Sequence, residues 1–157
     1  MKKLIVIRHA EAEQNLETSA DFNRALTESG KLDAARMADL LLKKGTVPQI
    51  IISSSALRAV TTAHIFTVTL GLKDAAPNIK IYEANVNSLL QIITGLNDQH
   101  EAVGLVGHNP GISNLLYALT GKITTMPTAA WAEIELEVDS WSEVSGDTGK
   151  FIQYQYP

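Results

Sequence analysis

Arg8 and His9 follow directly on the apolar run Leu4-Ile5-Val6-Ile7. A buried strand ending this way delivers a cation and an imidazole to one point, and both are groups that engage phosphate. The arrangement recurs downstream, where Val103-Gly104-Leu105-Val106-Gly107 runs into His108-Asn109-Pro110-Gly111. Between them, Ile50-Ile51-Ile52 leads through Ser53-Ser54-Ser55 to Arg58 at the start of a helical stretch. Each residue alone has a plainer reading: a structural strand-end histidine, a solvated helix arginine, a cap before Pro110. Together they describe an anion site. Guanidinium forks match tetrahedral oxyanions, and helix N-termini near Ser55 and Pro110 would add backbone donors. A neutral imidazole there can attack phosphorus in line and become phosphorylated, while the cations neutralise the equatorial oxygens.

Such a site needs elements that bring three strand ends together. Leu4–Ile7, Ile50–Ile52 and Val103–Val106 are continuous apolar runs, as expected for strands covered on both faces. A shorter strand is expected around Ile79–Tyr82. Helical spacing (i, i+3, i+4, i+7) is met by Ala34, Met37, Ala38 and Leu41, and by Ala56, Ala59, Val60 and Ala63. Val86, Leu89, Leu90 and Ile93 repeat it, as do Ile112, Leu115, Leu116 and Leu119. Thr27 and Ser55 are expected N-caps, and Gly45, Gly71, Gly95 and Gly121 are expected stops. After Gly121 the texture changes. Ala132–Val138 and Phe151–Tyr156 alternate, predicting a C-terminal hairpin with Glu133, Glu135 and Glu137 on its wet face. Interleaved strands and helices imply a mainly parallel sheet with an antiparallel addition, and ligands of open α/β sheets bind beyond the strands' carboxyl ends.

Bulk properties narrow the partners. The 157 residues suffice for one domain, 1–157. A net charge of -4 argues against nucleic acid or an anionic membrane as a general partner. With no cysteine, thiolate catalysis and disulfides are excluded, and the four histidines lack metal-ligand spacing, so neither metal nor cofactor is expected. No Gly-x-x-x-x-Gly-Lys-Ser/Thr loop is present. The short apolar run after Met1-Lys2-Lys3 is not a signal-peptide core, and no stretch reaches transmembrane length, so the default expectation is cytoplasmic.

Four segments carry a resemblance. Leu4–Glu11 resembles the opening of the histidine phosphatase superfamily, the phosphoglycerate-mutase-like fold with its Arg-His-Gly motif. Ser53–Ala63 resembles that family's Ser-x-x-x-Arg-Ala-x-x-Thr-Ala motif, Val106–Gly111 its third motif, and Leu26-Thr27-Glu28-Ser29-Gly30 its Leu-Thr-x-x-Gly. The resemblance implies a three-layer α/β/α sandwich and a metal-independent phosphatase. His9 would be the nucleophile, with Arg8, Arg58 and His108 completing the phosphate pocket, and Asn15 sits where many members carry a phosphate-contacting Asn. The short chain and its Arg-His-Ala start are most similar to the SixA-like phosphohistidine phosphatases. The implied substrate is a phosphorylated protein or a small phosphorylated molecule. Two alternatives stay open: a small-molecule phosphomonoesterase and an inactive phosphate-binding module. Two departures stand out. Ala10 replaces the usual Gly, and the family's proton donor has no clear counterpart; Glu83, in Ile81-Tyr82-Glu83-Ala84, is the candidate, ahead of Glu11 and Glu13. Of the other histidines, His64 is expected on the inner stripe of its helix and His100 in an exposed loop.

Overall fold

The structure, a computed structural model, describes residues 1–14 and 21–157. Chain order gives β1 (Lys2–Arg8), α1 (Glu28–Lys43), β2 (Ile50–Ser54), α2 (Leu57–Leu70), β3 (Ala76–Asn78), α3 (Val86–Thr94), β4 (Ala102–Gly107), α4 (Gly111–Thr120), β5 (Trp131–Leu136) and β6 (Gly149–Gln155). Six strands form one sheet in the order β3-β2-β4-β1-β5-β6. The first four are mutually parallel, while β5 runs antiparallel to both β1 and β6, so the expected hairpin closes one edge.

Alternation along β1 divides the core. Leu4 and Val6 join α3 and α4 on one face, through Leu89, Ile93, Ile112 and Leu115. Ile5 and Ile7 join α1 and α2 on the other, through Ala34, Met37, Ala63 and Phe66. Both faces are therefore dry, which is why β1 reads as an unbroken apolar run. The result is the three-layer sandwich. No helix among the described residues is long and apolar enough to cross a membrane.

Several local expectations need correction. Ile79–Ile81 is a 3-10 turn, not a strand; pairing with β2 is made by Ala76–Asn78 just before it. Ser55 is not the cap of α2: the position falls to Ala56, and the Ser54 hydroxyl accepts from the Ala56 N–H instead. Val60 and His64 face outward, because the helix buries Ala59, Thr62, Ala63 and Phe66. His100 is half-buried, its carbonyl accepting from the Trp141 indole. Glu133 is buried, not wet: it pairs with Lys3 at 3.0 Å and accepts from the Gln153 amide at 2.7 Å. Thr27 does cap α1, its hydroxyl accepting from the Gly30 N–H at 2.8 Å.

Candidate active site

Strand register brings the site together. Arg8 lies level with Gly107 in the parallel β1–β4 pair, so the next residue of each strand, His9 and His108, emerges side by side. The His9 N–H donates to the Gly107 carbonyl at 3.1 Å, and the two rings are 5.1 Å apart between centroids. On the other flank of β4, Ser53 pairs with Val106, which leaves the Ser54 hydroxyl 2.7 Å from His108 Nε2. Arg58 enters from the first turn of α2 and is only 5% exposed. The four groups expected to meet therefore do, in a pocket of about 320 Å³ shared with Glu11, Gln14, Arg24 and Asn109.

The loop after β1 is held from two sides by the family-like motifs. The Thr62 hydroxyl accepts from the Ala10 N–H at 3.0 Å while donating to the Arg58 carbonyl at 2.8 Å. This one side chain ties the histidine loop to the arginine helix. From the other side, the Thr27 N–H reaches the Glu11 carbonyl and its hydroxyl the Glu11 carboxylate. At Gly30 a β-carbon would overlap the Glu11 carbonyl oxygen, so only glycine lets α1 pack this closely. Ala10 is fully buried and does not need the left-handed backbone a glycine would permit.

Protonation follows from these contacts. His9 Nδ1 lies 2.7 Å from the Ala10 carbonyl, which can only accept, so Nδ1 carries the hydrogen and Nε2 keeps its lone pair. Burial holds the His9 imidazole down to about 3, and nearby Arg58 and Arg8 act in the same direction. His108 is likewise held down to about 4, chiefly by burial and then by Arg58. Both rings are neutral near pH 7.

The arginines share a pattern. Arg8 donates from Nη1 to the Met126 carbonyl at 3.0 Å, leaving Nε buried without a partner. Arg58 gives Nη1 to the Asp21 carbonyl at 2.8 Å and Nη2 to its carboxylate at 2.9 Å, and again Nε is buried and unpartnered. His108 Nδ1 is in the same condition. Three of the four buried side-chain atoms lacking a partner among the described residues are thus nitrogens of this site. Buried polar nitrogens without partners are costly, and the two guanidinium Nε–H groups are donors of the kind that an oxyanion can meet.

Residue type alone did not disclose four participants. Asp21 holds the Arg58 fork, and the Tyr82 hydroxyl (2.7 Å) with Arg58 and Arg24 holds its carboxyl down to about 2. That bond pushes the Tyr82 phenol up to about 12. The Ser54 hydroxyl and the Met126 carbonyl complete the set. Asn15 lies outside the described residues. Glu83 does not line the pocket of Arg8 and His9. It is exposed, at φ 55°, on the wall of a neighbouring cavity of about 630 Å³ that shares Arg58, His108 and Asn109 with the pocket. Among the described residues no group of three or more His, Cys, Asp or Glu could hold a metal ion.

Residues 4–83 match the sequence model of the histidine phosphatase superfamily (branch 1), and the chain belongs to that superfamily. Its relatives narrow the likeness. A crystal structure from Agrobacterium tumefaciens that carries the name phosphohistidine phosphatase SixA superposes with a TM-score of 0.84 at 26% identity, covering 99% of this chain and 98% of that one. The protein histidine phosphatase SixA complexed with tungstate gives 0.83 at 23% identity, covering 98% and 96%, a likeness of fold. An uncharacterized chloroplastic protein of Arabidopsis thaliana is 26% identical over 94% of this chain and 72% of its own length. The 2,3-bisphosphoglycerate-dependent phosphoglycerate mutase of Dichelobacter nodosus is 37% identical over 78 residues, which are 46% of this chain but 30% of the mutase.

Proposed function

We propose that the chain, acting as one domain over 1–157, hydrolyses phosphohistidine in a protein substrate through a phosphorylated His9. One observation carries this reading. His9 is a buried neutral imidazole with its Nδ1–H given to Ala10, and its Nε2 is available beside two guanidiniums with unpartnered Nε–H groups. In the first step Arg8 and Arg58 take the equatorial oxygens along their Nε edges. His9 Nε2 attacks phosphorus, the Nε2–P bond forms, and the bond to the substrate's nitrogen breaks with its electron pair leaving on that nitrogen. The Ser54 hydroxyl lies 2.7 Å from His108 Nε2, and in the tautomer that takes the Ser54 hydrogen there, His108 Nδ1–H is a donor to the transferring oxygens. Water then attacks phosphorus, the P–Nε2 bond breaks, and phosphate leaves. Asp21 and Met126 fix the arginines by their terminal nitrogens.

The similarity to structures bearing the SixA name supports a phosphohistidine substrate. A second reading, a small-molecule phosphomonoesterase, is favoured by the position of Glu83 on the cavity adjoining His108, where a carboxyl can protonate a departing oxygen. The test is a panel of phosphohistidine protein, an aryl phosphate and an alkyl phosphate, with wild type, His9→Ala and Glu83→Gln. The expected result is preferred turnover of phosphohistidine, lost in His9→Ala. Preferred turnover of the alkyl ester, lost in Glu83→Gln, would establish the second reading, and turnover surviving His9→Ala would overturn both.

A further inference from the structure

The cavity of about 630 Å³ beside the phosphate pocket is far larger than one departing imidazole requires. Because the two spaces share Arg58, His108 and Asn109, whatever fills the cavity is attached to the phosphoryl group or adjacent to it. Its charge is one-sided. Among the described residues of its lining Arg58 is the only lysine or arginine, and both terminal nitrogens of that guanidinium are already given to Asp21. The rest of the wall is Asp21 itself, His108, Tyr82, apolar side chains, amides such as Asn85 and Asn114, and Glu83. Glu83 has no ion-pair partner among the described residues.

The backbone at Glu83 is also held in place. Its φ of 55° is a backbone state that residues with a β-carbon seldom adopt. The loop is pinned next to it: the Ala84 N–H donates to the Ile81 carbonyl at 3.3 Å. The Ala84 carbonyl rests so close to Gly111 that a β-carbon there would overlap it. A carboxylate carried on this held backbone, in a cavity whose one arginine has both terminal nitrogens engaged by Asp21, attracts a positive group and repels a negative one.

We infer that Glu83 makes the enzyme select phosphorylated polypeptides with a lysine or arginine next to the phosphorylated residue. The phosphoryl group enters between Arg8, Arg58 and His9, and the neighbouring basic side chain runs along the cavity to Glu83. This rests on the phosphohistidine reading and assigns its sequence preference. Glu83 is thereby a specificity residue; a proton donor would act on every substrate alike.

Two phosphohistidine peptides, identical except for lysines or glutamates flanking the histidine, decide the matter with wild type, Glu83→Gln and Glu83→Lys. The lysine peptide should be favoured about three- to tenfold in kcat/KM, mainly through KM and less so at high salt. Glu83→Gln should bring the ratio below about twofold, and Glu83→Lys should invert it. Equal turnover of the two peptides by wild type overturns the inference alone. So does a ratio that Glu83→Gln leaves unchanged while kcat falls on both, which is the signature of a proton donor. Cleavage of neither peptide overturns the phosphohistidine reading together with the inference.

Discussion

The two ends of β1 each carry a cation, and they are treated in opposite ways. At the start of the strand Lys2 is 2% exposed, and its Nζ donates to the Asp98 carbonyl at 2.8 Å and the Glu101 carboxylate at 3.3 Å, with the Trp141 ring 5.9 Å away. At its finish Arg8 keeps a buried Nε with no acceptor, and Arg58 and His108 beside it show the same deficit. One end is saturated and closes the sheet. The other keeps buried nitrogens that no protein group engages.

The largest effect expected from breaking this contrast is at the unsatisfied end. Arg8→Met and Arg58→Met should each lower kcat/KM by about a hundred- to a thousandfold, as for removal of one preorganised donor. Arg8→Met should leave the urea midpoint unchanged or higher, since a half-buried charge with an unpartnered buried Nε is replaced by an apolar chain. A lower midpoint would mean that Arg8 is a structural cation after all.

Next comes the support of the histidine loop. Gly30→Ala drives a β-carbon into the Glu11 carbonyl, so it should cost about 1–3 kcal/mol in thermal or denaturant unfolding and weaken phosphate binding. Gly111→Ala, by contrast, displaces the Ala84 carbonyl and should disturb discrimination among leaving groups more than binding of inorganic phosphate. Comparable phosphate affinity in the two variants would show that the loops are not independent supports.

Lys2→Met sharpens the comparison from the saturated end. It loses hydrogen bonds to the Asp98 carbonyl and the Glu101 carboxylate and should cost about 1–2 kcal/mol of stability, with kcat/KM unchanged. The remaining prediction is a pH dependence. The folded-state pKa values of His9 and His108, about 3 and about 4, lie below the ordinary value of 6.5. The unfolded chain therefore binds more protons between those values. Their contribution to stability is complete above pH 6.5 and falls as pH drops toward 4, a slope that should flatten in His9→Asn.

What the sequence disclosed follows the same division. Arg8, His9, Arg58 and His108 were legible because each closes or follows a strand whose apolar run is unbroken, and parallel register then leaves their ends no choice but to meet. Asp21 and Met126 were not legible, since both act partly through backbone oxygens, Met126 at a separation of 118 residues from Arg8. Glu133 was misjudged because alternation reports which side of a strand a residue takes, not whether Lys3 and Gln153 wait there. Ser55 failed as a cap because the chain enters α2 one residue later, and its neighbour Ser54 is engaged with Ala56 and His108. Glu83 was picked out by its place after Ile81-Tyr82, and that order could not tell that it lies on the wall of the neighbouring cavity and not in the pocket of Arg8 and His9.

The central claim is that Ala10 fixes the His9 tautomer and so decides which nitrogen attacks. Trapping the phosphoenzyme from ¹⁵N-histidine-labelled protein and recording its ³¹P–¹⁵N couplings by NMR tests this directly. The account predicts phosphorus bonded to Nε2 of His9, with Nδ1 still carrying its proton. Phosphorus on Nδ1, on His108, or on no histidine while substrate is turned over would contradict it.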